Sequence, residues 1–179
     1  MLLALHSDAS YLSEPEAKSR AAGHFFLGKL NNEKFDNGAI MTLSKIIKHV
    51  MLSASEVETA ALFYNCKAAA PLRVMLEEMG HPQPKTPMQT DNSTAMGVVA
   101  NKIQPKRTKA MDMIFHWLRC RDSQGQFRYY WMPGAKNWAD HWTKHHSAQH
   151  HRDMRAKFLT DAQVLKALRE ANKENRPPQ

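Results

Sequence analysis

The sequence predicts an α/β protein built on one mixed sheet, and three observations predict it. The first fifty residues hold three extended segments joined by short polar turns. From Ser53 the apolar residues recur at steps of three and four, the period of a helix. Past residue 86, short strand-like runs alternate with helical ones, an order that belongs to the α/β class.

Each element follows in turn. Residues 2–8 (LLALHSD) form a short apolar run ending on an acid, the first strand. Residues 21–30 (AAGHFFLGKL) are the second. Residues 31–38 (NNEKFDNG) are polar and end in Asn37-Gly38, a strong hairpin signal. Residues 39–51, rich in β-branched side chains, complete an antiparallel meander. Ser53 and Ser55 stand before Glu56 and Glu58, as at a capped helix start. Val57, Ala61, Tyr64, Ala68, Leu72, Met75 and Met79 then line one helical face, which closes at Gly80. Pro71 sits inside that run and is expected to kink or split it. Residues 87–90 make a fourth strand and residues 93–101 a small helix. Residues 107–121 make another helix, burying Met111, Ile114, Phe115 and Leu118. Residues 127–132 (FRYYWM) are the fifth strand, Pro133-Gly134 a turn, and Trp138 to about Leu159 a final helix. An amphipathic segment at 161–173 and a polar tail complete the chain.

With 179 residues, 42% hydrophobic and 23% charged, the chain has the composition of a globular domain with a tail. The expected division is a domain at 1–146 and a helical extension at 147–179. No apolar run of about 18 residues is present, so no membrane span is expected. The start, MLLALHSDAS, has no basic region and does not read as a signal peptide. Two cysteines, Cys66 and Cys120, make neither a disulfide framework nor a zinc knuckle, so an intracellular setting, cytoplasmic or nuclear, is expected. The net charge is +8 and unevenly placed. Residues 1–100 hold 9 Lys and Arg against 10 Asp and Glu, whereas residues 101–179 hold 16 against 7. A basic second half points to a polyanion, nucleic acid before an anionic membrane.

Four acids stand where strand ends meet helix starts: Asp8, Glu58 (or Glu56), Asp91 and Asp140. Sites in open α/β sheets form at such junctions. Singly, each has a local reading. Asp8 is a strand-end turn former, Glu58 completes a capping box with Ser55, Asp91 precedes a helix, and Asp140 faces a helix dipole. Gathered, they would repel one another unless divalent cations neutralised them, and oxygen ligands suit Mg²⁺ or Mn²⁺. Two such ions, about 3.5–4 Å apart, activate water in phosphodiester cleavage.

The wording around these acids resembles the ribonuclease H domain of Ty1/copia-type retrotransposon polyproteins. Seven pieces occur in family order over roughly residues 2–146. They are SDA at 7–9, AGHFFLG at 22–28, LSASEVE at 52–58 and LEEMG at 76–80. TDNSTA at 90–95, RTKAMD at 107–112 and ADHWTK at 139–144 complete the set. The resemblance implies a five-stranded mixed sheet, three antiparallel strands then two parallel, flanked by helices. It implies hydrolysis of the RNA strand of an RNA–DNA hybrid with two Mg²⁺ or Mn²⁺ ions. It also implies a reverse transcriptase domain in the parent polyprotein as a partner. The metal-binding, catalytic set carries over to Asp8, Glu58, Asp91 and Asp140, with Glu56 as the alternative to Glu58. Glu58 lies roughly 75° from the centre of the apolar stripe and Glu56 roughly 125°, which favours Glu58. The loop at 133–137 (PGAKN) lacks the histidine that many cellular ribonucleases H carry there; the copia type commonly lacks it too. After Thr143-Lys144 the chain has His145-His146 where the family usually has Pro-Leu.

Lys102, Lys106, Arg107 and Lys109 cluster before a helix and suit phosphate contacts, which Arg119, Arg121 and Arg128 would extend. A hybrid would be read by groove shape and 2′-OH contacts. Trp117, Tyr129, Tyr130 and Trp131 read as core and sheet residues. His141 and His145 have the i, i+4 spacing of zinc proteases, but HWTKH lacks their Glu. With His146, His150 and His151 they read as a basic, pH-sensitive helix face. Two further readings differ in class. One is a domesticated domain that binds hybrid or duplex without cutting. The other is an integrase-like nuclease of the same fold, whose last acid is a Glu on the final helix where this chain has Asp140.

Overall fold

The computed structural model describes residues 1–28, 38–99 and 109–159. They fall into two compact units, one within Met1–Phe35 and Ala39–His145, the other within Asp36–Gly38 and His146–Gln179. The first unit holds the sheet. Its strands are β1 (Leu2–Glu14), β2 (Lys18–Gly28), β3 (Met41–Ile47), β4 (Thr86–Thr90) and β5 (Phe127–Trp131). They lie in the order β3-β2-β1-β4-β5. β1 pairs antiparallel with β2 and parallel with β4; β2–β3 is antiparallel and β4–β5 parallel. This is the expected mixed sheet, three antiparallel strands then two parallel.

Several boundaries differ from the sequence reading. β1 runs on past Asp8 to Glu14, because the polar half of the strand finds partners on β2. Ala9 and Ser10 pair with Ala21 and Arg20, and past an irregularity Glu14 accepts from Arg20 Nε at 2.6 Å. The β1–β2 turn falls at Pro15–Ala17, where Glu16 and Ala17 adopt φ of 60° and 54°. β2 is described as far as Gly28 and β3 from Met41, with Phe25 opposite Met41, and the hairpin expected at Asn37-Gly38 falls partly outside the described residues. Asn37 itself lies outside the described residues, as do Lys29 and Leu30.

Helix α1 (Ala54–Glu78) opens as its sequence asks. The Ser53 hydroxyl accepts from Glu56 N–H, and the Glu56 carboxylate turns back to Leu52 N–H at 2.9 Å. The buried stripe runs through Val57, Ala61, Leu62, Cys66, Ala69, Arg73 and Leu76. Met75 and Met79, expected inside, are exposed. Hydrophobicity alone ranks methionine above arginine, but Arg73 finds three oxygens: Gln83 O, Pro84 O and Thr86 Oγ1. With its charge so satisfied, Arg73 is the better fit to the buried position.

Pro71 neither splits α1 nor ends it. The ring lies on the exposed side, where water can serve the carbonyl one turn back that loses its N–H partner. Interior proline costs about 3 kcal/mol against alanine, partly offset by its stiffening of the unfolded chain. Pro71→Ala is therefore expected to raise the melting temperature by a few degrees. A fall on thermal denaturation would mean that α1 needs the proline's bend to pack.

α2 (Ser93–Val99) and α3 (Lys109–Ser123) follow the expected elements, and α3 buries Met111, Phe115 and Leu118. The expected helix from Trp138 to Leu159 is two pieces. A 3-10 turn at Trp138–Trp142 belongs to the first unit, and α4 (Ala148–Phe158) to the second. Asn137 caps the turn and Thr143 N–H closes it on Asp140 O at 3.2 Å. Ser147 starts α4 afresh, its hydroxyl accepting from His150 N–H. His141 and His145 therefore do not share a helix face. Within the second unit the His146 and His150 rings stack at 3.9 Å. The segment at 161–173 lies outside the described residues.

Candidate active site

Parallel pairing of β1 with β4 sets Leu5 against Met88 and His6 against Gln89. Two residues beyond His6 comes Asp8, and two beyond Gln89 comes Asp91, so neighbouring strands bring two acids to the same level. Glu58, in the second turn of α1, joins them. Asp8, Glu58 and Asp91 each offer an oxygen, and the three oxygens lie within 4.8 Å of one another. Asp8 and Glu58 are buried and Asp91 is half-buried. Glu56 is not among them, since its carboxylate is engaged at Leu52 N–H.

Such crowding costs free energy as charge. Burial, then the Asp91 and Asp140 charges, lift Asp8 to about 7, against the pull of the Thr143 hydroxyl. Burial, then Asp8 and Asp91, lift Glu58 to about 9. Asp91 is raised as well, by burial first and by Asp140. Glu58 accepts from Ala9 N–H, while its buried Oε2 has no hydrogen-bond partner among the described residues. An all-oxygen donor set with an unsatisfied buried carboxylate oxygen fits a hard divalent cation.

Asp140 stands apart from that trio. It comes from the 3-10 turn, and its carboxylate pairs with the Lys144 ammonium four residues on. The hydrogen bond to Asp140, and then the charges of Asp140, Asp8 and Asp91, hold Lys144 above its ordinary value against burial. Asp140 is near enough to act on Asp8 and Asp91 electrostatically, and a cation reaching it competes with Lys144.

The turn is seated by aromatic packing. Trp138 N–H donates to His6 Nδ1 at 3.1 Å, and its ring lies 5.4–5.6 Å from those of His6, His24 and Phe26. Burial keeps both histidines neutral, pushing His6 down to about 3 and His24 to about 4. The loop before the turn is tied to β4 by Gln89 Nε2, donating to Lys136 O at 3.0 Å. Gly134 leaves room there: a Cβ at this position would come within 2.8 Å of Asp91 Oδ2, which would have to shift. Trp131, exposed at the end of β5, donates to Asp91 O at 2.8 Å.

Two residues beyond the predicted set touch Asp8. Thr143 donates to Asp8 Oδ2, and Asn137 Nδ2 reaches Asp8 Oδ1 at 3.4 Å while donating to Ser7 O at 2.9 Å. In the sequence Asn137 stands only as the last residue of the PGAKN loop, and Thr143 only within the ADHWTK motif. Of the predicted phosphate contacts, Lys102, Lys106 and Arg107 lie outside the described residues, and Lys109 is the first residue of α3. Trp117 packs edge-on to Phe63 at 5.1 Å, and Tyr129 lies beside Cys66, as expected of core residues.

A mixed sheet of this order, flanked by helices, has the ribonuclease H-like fold. The fold matches solved structures of that class. One is the N-terminal ribonuclease H domain of Rv2228c from Mycobacterium tuberculosis, at TM-score 0.58 and 12% identity, covering 79% of this chain and 90% of that one. Another is LC11-RNase H1, solved in complex with an RNA/DNA hybrid, at TM-score 0.56 and 12% identity, covering 78% and 92%. A third is RNase H1 of Halobacterium salinarum, at TM-score 0.52 and 13% identity, covering 78% and 91%.

In sequence, the chain is similar to the retrovirus-related Pol polyprotein from transposon TNT 1-94 of Nicotiana tabacum, 29% identical over 114 residues. This copia-type relative bears out the resemblance read from the seven motifs. The match covers 64% of this chain and 8% of that polyprotein. No protein-family model matches the chain.

Proposed function

We propose that this chain is a metal-dependent endonuclease that hydrolyses the RNA strand of RNA–DNA hybrids. The observation that carries the reading is the convergence of Asp8, Glu58 and Asp91, from three separate elements, within 4.8 Å. Buried acids brought so close are costly unless they serve a cation. Asp8, Glu58, Asp91 and Asp140 would hold two Mg²⁺ or Mn²⁺ ions. Bound there, the ions would make a water acidic enough to give up a proton and attack phosphorus as hydroxide, and would set positive charge against the departing oxygen.

The chain's own residues do the rest. Ala9 N–H and Thr143 fix Glu58 and Asp8. Gly134 lets the loop cross close over Asp91. Asp140 completes the set when Lys144 releases it. Lys102, Lys106, Arg107 and Lys109 are proposed to meet the hybrid's phosphates, which makes binding fall with salt. A reverse transcriptase region of a parent polyprotein, the partner that the resemblance implies, would add substrate grip. No helix among the described residues is long and apolar enough to cross a membrane.

The test is Mg²⁺-dependent cleavage of a labelled hybrid, with Asp91→Asn beside the parent chain. Losing a ligand from a two-ion site removes several kcal/mol of transition-state stabilisation, so a rate loss of at least about 10³-fold is expected. Cleavage that survives Asp91→Asn would sink this site assignment. Binding without turnover in both Mg²⁺ and Mn²⁺ would favour a hybrid-binding domain instead.

A further inference from the structure

We propose that Thr143 is a positioning residue for the acidic site: it fixes the Asp8 carboxylate and, through the same short turn, sets where Asp140 is presented. The inference rests on the metal-dependent reading above and deepens it. Thr143 is 5% exposed and stands immediately after the turn that carries Asp140. Its hydroxyl lies within reach of two acceptors, Asp8 Oδ2 and Asp140 O, the latter at 3.1 Å. A hydroxyl has one proton to give. Asp140 O already accepts from Thr143 N–H, and a carboxylate oxygen is the stronger acceptor, so the proton goes to Asp8.

That hydrogen bond joins residues 135 apart in sequence. It spans the centre of the sheet at one end and the Asp140 turn at the other. Asn137, at the opposite end of the same turn, reaches the other Asp8 oxygen and Ser7 O. Asp8 is therefore held at both oxygens by residues flanking Asp140. One carboxylate rotamer is selected, and the turn is latched where Asp140 faces Asp8 and Asp91. Partners that orient ligands in this way typically contribute about 10–100-fold in metal affinity or activity.

The experiment compares Thr143→Val, which keeps the shape and removes the donor, with Thr143→Ser, which restores it. Hybrid cleavage is measured against Mg²⁺ concentration, with the KM for hybrid taken separately. Thr143→Val is expected to need about tenfold more Mg²⁺ for half-maximal rate, with the KM for hybrid unchanged and Thr143→Ser close to the parent. Calorimetric titration with Mn²⁺ alone gives a readout without turnover, with the same order of affinities expected. Unchanged Mg²⁺ and Mn²⁺ dependence in Thr143→Val overturns the proposal. Loss shared equally by Thr143→Ser overturns it too, since the hydroxyl would then be irrelevant. If the parent chain binds Mn²⁺ but cuts nothing, the hydrolytic reading fails while the Mn²⁺ series still decides the role of Thr143. If the parent binds no Mn²⁺, both fail.

Discussion

Asp8→Asn is expected to abolish hybrid cleavage and, in the absence of divalent ions, to make the protein more stable. The two effects share one cause. Asp8 and Glu58 have folded-state values raised to about 7 and about 9, above their ordinary range near 4. Groups raised in this way favour folding while protonated, and the benefit is lost as pH climbs through the folded values. His6 and His24 act in the opposite sense: the unfolded chain takes up protons below about 6.5 and the native state does not, so stability falls as pH drops below that point. The two trends oppose one another between about pH 4 and 6.5. Above that window the raised carboxylates, joined by the buried Cys66 thiol, all hold protons that the unfolded chain gives up, so metal-free stability declines from about pH 6.5 to 9. Asparagine at position 8 keeps an oxygen for Thr143 but carries no charge to repel Glu58. At pH 8, in chelator, the variant should melt several degrees above the parent, a gain of a few kcal/mol. The gap should narrow towards pH 5 and shrink when Mg²⁺ is added to the parent. Melting curves across pH 5–9, with and without Mg²⁺, check it. A variant less stable than the parent at pH 8 in chelator would show that Asp8 is not under electrostatic strain.

Gly23→Ala is expected to cost more stability than any other single methyl added near the site. A Cβ at Gly23 would fall 2.1 Å from Asn65 Oδ1, a separation that no relaxed structure tolerates. Asn65 cannot simply move aside. It is fully buried in α1, and its Nδ2 donates to Ser7 Oγ at 2.9 Å and Ala22 O at 2.8 Å. Displacing it strands two buried acceptors and shifts β1 one residue from Asp8. Overpacking plus unsatisfied polar groups comes to about 3–5 kcal/mol, a large share of the stability of a domain this size. The melting temperature should fall by about 10 °C or more. Double substitution with Asn65→Ala separates cause from consequence, because removing the amide removes the shortest contact and leaves only the one with Phe25 Cε2 at 2.8 Å. The pair should be far less destabilised than the sum of the singles. Additive losses would mean that the clash is not with Asn65.

Much of this architecture is legible in the sequence because periodicity reports which face of an element is buried. Segments with an apolar centre became β1, β2 and β5, and the stripe on 107–121 became the buried face of α3. The acids at element junctions stand out only as a set, because singly each has a local reading as a cap or turn residue. What stays hidden is decided by partners distant in sequence. β1 reaches Glu14 because β2 supplies ladder partners, and Arg73 is buried because the 83–86 segment supplies acceptors. Trp138 to Leu159 looks helical by pattern. The chain leaves that pattern after Trp142, where Thr143 turns its hydroxyl to a strand 135 residues away. Asn137 and Thr143 escape notice for the same reason, since a buried hydrogen bond has no local spacing. The phosphate-contact cluster at 102–107 lies outside the described residues.

β1 carries a consequence for the timescales on which the site comes apart. It is the one strand bonded to both the antiparallel and the parallel halves of the sheet, so its amides are exposed only when the two halves separate. Hydrogen exchange there reports global opening. The turn bearing Asp140 is a single 3-10 segment held by a few side-chain contacts and can open by itself. Amides beside Asp8 are therefore expected to exchange more slowly than those of the Asp140 turn. The proposed four-acid set is thus a joint between two clocks, and Asp140 can leave it without unfolding the elements that carry Asp8, Glu58 and Asp91.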